Sequence, residues 1–368
     1  MTTFEILVGA PAFWRRAAAD IAAARRRVYV QAMSFEGDAA GLAVAAAIAA
    51  SGAADRRVLV DDYSRRVVND RPIRSRLGRR DRVLQAEVAA TDRMFRDLAA
   101  GGAPVRVTNP IGPLGANYPA RNHKKLIVAD HVAWLGGVNF CDHNFAWHDF
   151  MLRLEGEAAA DFLAGDFAAT FAGAPRAARA DLGDLALYTL DGRSNAGPFA
   201  AVTALIGAAR QAICIISPYL TFPVTTALAA AARRGVAVQL ITPWANNKPI
   251  VRDALLATAR RAGFDVRLTP GMSHLKGLLV DDTHLIVGSS NFDFVSLAAE
   301  EELMAVITAP AVIADFHRLI IAPALREAKP PGHRRVPLLQ GLASGLALRI
   351  ADQVARAARN ARRTAVDW

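Results

Sequence analysis

Cysteine is nearly absent from this chain: Cys141 and Cys214 are its two thiols in 368 residues. Two cysteines exclude a disulfide framework and have no metal-ligand spacing, so both are expected to be buried thiols in a reducing compartment. No structural zinc and no cofactor is expected. The N-terminal MTTFEILVGA carries Glu5 and no basic leader before its apolar residues, so it does not read as a secretory signal. Long apolar runs are missing too. The longest uncharged stretch, Gln211–Ala232, contains Pro218 and Pro223, which suit a strand, loop and helix better than a membrane-spanning helix. Acid is in short supply: 34 Asp and Glu face 44 Lys and Arg, a formal charge of +10. That excess favours anionic partners, phospholipid headgroups or nucleic acid, without choosing between them.

What is present repeats. AAARRRVYVQA (22–32) and AARQAICIISP (208–218) each run from the basic end of an Ala-rich helix into a β-branched strand. Each is followed by another Ala-rich helical stretch, a strand (RRVLVDD; RRGVAVQLITP), a short polar motif and two more apolar segments. Strands alternating with helices indicate an α/β fold: two similar halves, each a mixed, mostly parallel sheet flanked by helices. The duplication implies a pseudo-twofold axis with the active site between the halves. The expected division is 1–185 and 186–328 for the halves, with a basic amphipathic tail over 329–368. Two segments stand outside the repeat. Tyr63–Arg82 holds eight arginines with Pro72 and Gly78, and reads as an exposed loop or short helix. In the tail, Leu339, Leu342, Leu346, Ile350 and Val354 share one helical face, with Arg349, Arg356, Arg359 and Arg363 largely opposite. That helix either packs on its own domain or lies on a membrane surface.

The repeated motif is RNHKKLIVAD (121–130) and SHLKGLLVDD (273–282). His123 and Lys125, two apart in extended chain, project from the same side, and His274 and Lys276 repeat the pattern. Brought together, two imidazoles and two ammonium groups suit a phosphodiester. One histidine attacks phosphorus, the other protonates the leaving alkoxide, and the lysines offset the charge building on the non-bridging oxygens, with no metal. Gly136-Gly137-Val138-Asn139 and Gly288-Ser289-Ser290-Asn291 are polar turns whose small residues admit a phosphate and whose asparagines can donate to it. Asp149 and Glu302 are acids placed to orient an imidazole.

His123, Lys125 and Asp130 with Gly136-Gly137-x-Asn139, and His274, Lys276 and Asp281 with Gly288-Ser289-x-Asn291, resemble the paired HKD motifs of the phospholipase D superfamily. The resemblance covers about residues 5–325. Trp147-His148-Asp149 and the runs SPYLTFP, RRGVAVQLITP and SNFDFVSLAAEEE look most like bacterial cardiolipin synthases. The resemblance implies a catalytic set of His123, Lys125, Asp130, His274, Lys276 and Asp281, in which the aspartates are the more structural members. It also implies a phosphatidyl-histidine intermediate with His123 as nucleophile and His274 as acid and base, roles that near-symmetry leaves exchangeable. Asn139, Ser289 and Asn291 would bind phosphate; Asp149 and Glu302 would orient the histidines. Two departures stand out: five residues separate Asp130 from Gly136 where the family usually has six, and Gly137 lacks the hydroxyl of Ser289.

The leading expectation is a phosphatidyltransferase acting on phospholipids, cytoplasmic and peripheral on the inner face of the cell membrane. The alternative is a phosphodiester hydrolase, a phospholipase D or a nuclease, and nucleic acid is a partner only under that alternative. A non-catalytic binding module is the third reading. Phe140, Phe145, Trp147, Phe292 and Phe294 line a lipid path or fill the core, and nothing in the sequence fixes the oligomeric state.

Overall fold

The computed structural model describes residues 2–112, 115–332, 334, 336–358 and 364–368; Arg359 and Arg363 lie outside the described residues. The chain divides into two units, the first running to Arg176 and taking in the C-terminal end, the second beginning at Ala177.

In the first unit the strands are β1 (Thr3–Val8), β2 (Arg27–Ala32), β3 (Asp55–Asp61), the short pair β4 (Val67–Val68) and β5 (Arg71–Pro72), β6 (Val105–Thr108), β7 (Leu126–Ala129), β8 (Val132–Gly136) and β9 (Phe150–Glu155). The helices are α1 (Ala10–Ala23), α2 (Ala39–Ala50), α3 (Arg82–Ala100), α4 (Asp142–Phe145) and α5 (Glu157–Phe171). One sheet runs in the order β1-β9-β8-β7-β2-β3-β6, with Ala365–Asp367 added beyond β6. Alternation along β2 explains its two covered faces. Val28 and Val30 join Phe13, Val44 and Phe95 in one core, while Tyr29, on the opposite face, stacks on Phe167 of α5 at 4.7 Å between centroids.

The second unit repeats this plan. Its strands are β10 (Ala178–Asp181), β11 (Leu185–Asp191), β12 (Ala212–Ile216), β13 (Ala237–Pro243), β14 (Asp265–Thr269), β15 (Gly277–Val280), β16 (His284–Gly288) and β17 (Glu301–Ile307). Its helices are α6 (Ala196–Ala208), α7 (Val224–Arg233), α8 (Pro249–Ala262), α9 (Phe294–Ala298), α10 (Pro310–Phe316), α11 (Ala322–Glu327) and α12 (Leu338–Ala358). The order β10-β11-β17-β16-β15-β12-β13-β14 matches that of the first unit strand for strand from β11 onward. The unit begins before residue 185 because β10 is already paired with β11.

Both sheets are mixed, and their parallel part is smaller than the sequence suggested. Only β2, β3 and β6, and likewise β12, β13 and β14, run parallel among the described strands. The motif strands β7 and β15 instead form antiparallel hairpins with β8 and β16. The link between β7 and β8 is Asp130-His131, too short for the crossover that a parallel pair requires.

The arginine-rich segment is more ordered than a loop. Val68 and Ile73 pack on Leu84 in a small core of their own, and Asp81 caps α3 by accepting from the Leu84 amide at 3.0 Å while pairing with Arg71. Helix α12 packs through Gly341, Ser344, Leu348, Asp352 and Ala355, all buried. Gln340 donates to Asp253 of α8 at 2.6 Å. Its other face is the apolar stripe: Leu339 is 80% exposed and Leu346 64%. The two sequence expectations for this helix therefore describe opposite sides of it. Among the described residues no helix is long and apolar enough to cross a membrane.

Candidate active site

Every polar residue of the first motif has its own partner. Arg121 is buried and donates to Asp61 at the end of β3 at 2.6 Å, and the Asn122 amide donates to the second oxygen of that carboxylate, also at 2.6 Å. Gln31 in β2 donates to the Asn122 side chain at 2.8 Å. Lys124, wholly buried, donates to both oxygens of Asp166 in α5 at 2.7 and 2.9 Å. Lys125 points the other way, as alternation in extended chain requires, and donates to the His123 carbonyl at 2.7 Å. The segment therefore enters β7 with His123 and Lys125 on one side, pinned by an ion pair on the other. Asp61 and Asp166 were missed in the sequence, although RRVLVDD already placed Asp61 at a strand end.

The second motif is built alike with one exchange. Lys276, buried, donates to the His274 carbonyl at 2.7 Å and lies 2.8 Å from His274 Nδ1. An ammonium has only protons to offer, so when the ring is neutral Nδ1 is the acceptor and Nε2 carries the proton. Where the first motif has Lys124, the second has Leu275, fully buried. The edge of Tyr219 meets the His274 ring at 5.8 Å between centroids, a neighbour absent from the sequence reading.

Asp149 and Glu302 occupy equivalent places, each two residues before the methionine that pairs with Gly136 or Gly288. Their supports differ. The Asp149 carboxylate lies directly against Gly137: a Cβ there would fall 2.3 Å from Oδ2. That is why no hydroxyl fits at Gly137. Glu302 is one methylene longer and is held by two hydroxyls, those of Ser289 and, at 2.8 Å, Ser296. The Ser289 hydroxyl also accepts from the Leu303 amide at 3.0 Å.

Ser289 and Asn139 each make hydrogen bonds within their own unit. Ser289 is committed to Glu302, and Asn139 donates its amide to Asn144 at 2.6 Å while accepting from the Ser34 amide at 3.2 Å. Asn291 differs from both. Its side-chain oxygen is buried and has no hydrogen-bond partner among the described residues, and turning the amide over would present its NH2 there instead.

Asp130 and Asp281 sit at the opposite ends of their strands from the histidines and are clamps. Asp130 accepts from the amides of Arg25, Arg26 and Arg27 at 2.8 to 3.0 Å. Asp281 accepts from Arg210, Gln211 and Ala212 at 2.8 to 3.0 Å. Both adopt left-handed backbone, φ near +50°, which aspartate tolerates better than most residues. Three amide donors hold each carboxyl below its usual range against the opposing effect of partial burial. Each ties the end of its motif strand to the start of the neighbouring strand. Of the aromatic residues, Phe140 and Phe292 are core, Phe294 stacks on Phe222 at 5.2 Å, Phe145 packs on Phe13, and Trp147 meets His143.

An acidic cluster lies apart from the motif in the first unit. Ligand atoms of Glu36, Cys141 and His143, and those of Glu36, Asp38 and Glu87, lie within 4.8 Å of one another. Burial pushes the Glu36 carboxyl up to about 8 and raises the Cys141 thiol, Asp38 and Glu87. Burial also lowers His143. Cys141 is buried as expected, whereas Cys214 is half-buried beside Gln239.

Because the folded Glu36 titrates far above the ordinary carboxyl value of 4.5, its stabilising contribution is complete below that value and is lost as pH rises through about 8. Glu36→Gln keeps an acceptor for the Asn69 amide and cannot ionise. Its urea midpoint should match the wild type at about pH 5 and exceed it at about pH 9, by on the order of 1–3 kcal/mol. An equal difference at both values would remove Glu36 as the source.

Residues 202–321 match the family described as cardiolipin synthase, PLD-like domain. The minor cardiolipin synthase of Bacillus subtilis is 28% identical over 222 residues, covering 54% of this chain and 55% of that protein. Cardiolipin synthase A of Pseudomonas fluorescens is 30% identical over 229 residues, covering 55% and 47%. Over residues 202–321 the chain carries a phospholipase D-like domain of the cardiolipin synthase kind. It spans about half the length of the curated relatives it matches. The phospholipase D fold extends through the whole chain. A phosphatidylserine synthase from Haemophilus influenzae Rd KW20 superposes with a TM-score of 0.72 at 17% identity, over 96% of this chain and 95% of that one.

Proposed function

We propose that the chain is a phosphatidyltransferase that moves a phosphatidyl group from one phospholipid to the headgroup alcohol of another, as a cardiolipin synthase does. The observation that carries this reading is the duplication: each unit builds the same histidine–lysine pair on the same strand, with an acid at the same register two strands away. In this reading both motifs act on one phosphodiester. His123 attacks phosphorus, the bond from phosphorus to the donor headgroup oxygen breaks, and protonated His274 gives its proton to the leaving alkoxide. The acceptor alcohol then returns a proton to His274 and attacks the phosphatidyl-histidine, and the phosphorus–nitrogen bond breaks. Lys125 and Lys276 offset charge on the non-bridging oxygens, the Asn291 amide donates to one of them, and Asp149 and Glu302 orient the imidazoles.

The reaction takes place on an anionic bilayer surface, at the inner face of the cell membrane. Support comes from the net charge of +10 and from the exposed apolar stripe of α12. The test is to incubate the purified chain with phosphatidylglycerol and phosphatidylethanolamine vesicles and to analyse the lipids by mass. A product with two phosphatidyl groups is expected. Phosphatidic acid alone would make the chain a hydrolase, and no product would remove the reading.

A further inference from the structure

Three helices of the second unit, α7, α8 and α12, enclose an open cleft of about 420 Å³. Its lining is of two kinds. Phe222, Leu342 and Leu346 give it an apolar wall, and Arg233, Arg261 and Arg349 stand around it with Thr226 and Thr258. All three arginines are exposed, and none forms an ion pair with a carboxylate among the described residues. Arg349 lies over the Phe222 ring at 3.8 Å, which holds its guanidinium at the rim.

The glycines of α12 indicate that the space is kept. A Cβ on Gly341 would meet Ala257 of α8 at 2.5 Å, so that glycine is needed for close helix packing. Gly345, one turn on, also lines the cleft, and a Cβ there would meet nothing within 4 Å. A glycine inside a helix costs about 1 kcal/mol relative to alanine, and packing gives Gly345 no reason to be one.

We propose that this cleft binds one anionic phospholipid, its phosphate at Arg233, Arg261 and Arg349 and an acyl chain along Leu342, Leu346 and Phe222. Guanidinium groups without carboxylate partners suit a phosphate. The apolar wall runs without interruption into the exposed stripe of α12, so a lipid seated here has its chain continuous with a bilayer under that helix. The ligand class rests on the reading of the chain as a lipid-surface enzyme, but the site itself makes no use of the histidines.

Binding of short-chain, monodisperse phosphatidylglycerol to the full chain tests this by calorimetry, alongside phosphatidylcholine of the same chain length and inorganic phosphate. Saturable binding of one phosphatidylglycerol is expected, about tenfold tighter than either comparison ligand. Gly345→Leu, which fills the cleft and favours the helix, should abolish it. The triple change Arg233→Gln, Arg261→Gln, Arg349→Gln should bring it to the phosphatidylcholine level. Both variants should hydrolyse a small soluble phosphodiester at the wild-type rate. Unchanged phosphatidylglycerol binding in either variant overturns the site, and phosphate binding as tightly as the lipid overturns its assignment to a lipid. Failure of the lipid-product assay would leave this binding result untouched, so the two proposals fail separately.

Discussion

His123→Ala and His274→Ala are each expected to lower turnover by about 10³-fold or more while leaving the protein folded. Each unit supplies one motif imidazole, so neither can share attack and leaving-group protonation within its own motif. The two variants should also differ in kind. Without His123 no covalent phosphatidyl-enzyme forms. Without His274 the attack is slow and the intermediate, once formed, lacks a base to activate the acceptor, so a phosphate label should remain on the protein through acid-free gel filtration. Near wild-type turnover in either variant would sink the two-histidine mechanism, and label retained by His123→Ala would exchange the two roles.

Asp166→Ala should be the most destabilising single change near the motif, by about 3–5 kcal/mol, because it strands the Lys124 ammonium where both partners of the pair are 0% exposed. The second unit contains its own remedy, since Leu275 fills the corresponding place with no charge at all. Lys124→Leu with Asp166→Leu should therefore recover most of the lost stability and retain activity. Lys125→Leu should leave stability far less affected than Asp166→Ala and depress turnover strongly. If the double variant is as unstable as the single, the cost lies in packing around α5. If it is inactive though stable, Lys124 does more than hold the strand.

That pair of lysines marks where the sequence was legible and where it was not. Spacing two apart in extended chain put His123 beside Lys125, and the structure has both on one side of the strand. Alternation also placed Lys124 on the other side, yet no local pattern names a partner in a helix 42 residues further on. The sheets followed the same division. The helix-to-strand rhythm revealed the duplication, while the proportion of antiparallel strands depended on links of two and three residues that composition does not emphasise. In α12 the apolar periodicity was visible and its direction was not: an amphipathic stripe ordinarily faces the core, but Gly341 and Ala355 allowed the small face to pack instead. The protein partners of Ser289 and Asn139 were not legible either, because a hydroxyl or amide in a motif reads the same whatever side chain it meets.

The contrast between Gly137 with Asp149 and Ser289 with Glu302 bears on how duplicated halves drift apart. A serine at 137 alone would run into the Asp149 carboxylate, and a glycine at 289 alone would leave Glu302 with one hydroxyl fewer to hold it. Moving either half to the other's solution takes two changes, and each first step is harmful on its own. Once the copies had settled on different pairs, neither could return by single substitutions. The two acids are thus kept in unlike surroundings, one against a bare backbone and one held by hydroxyls.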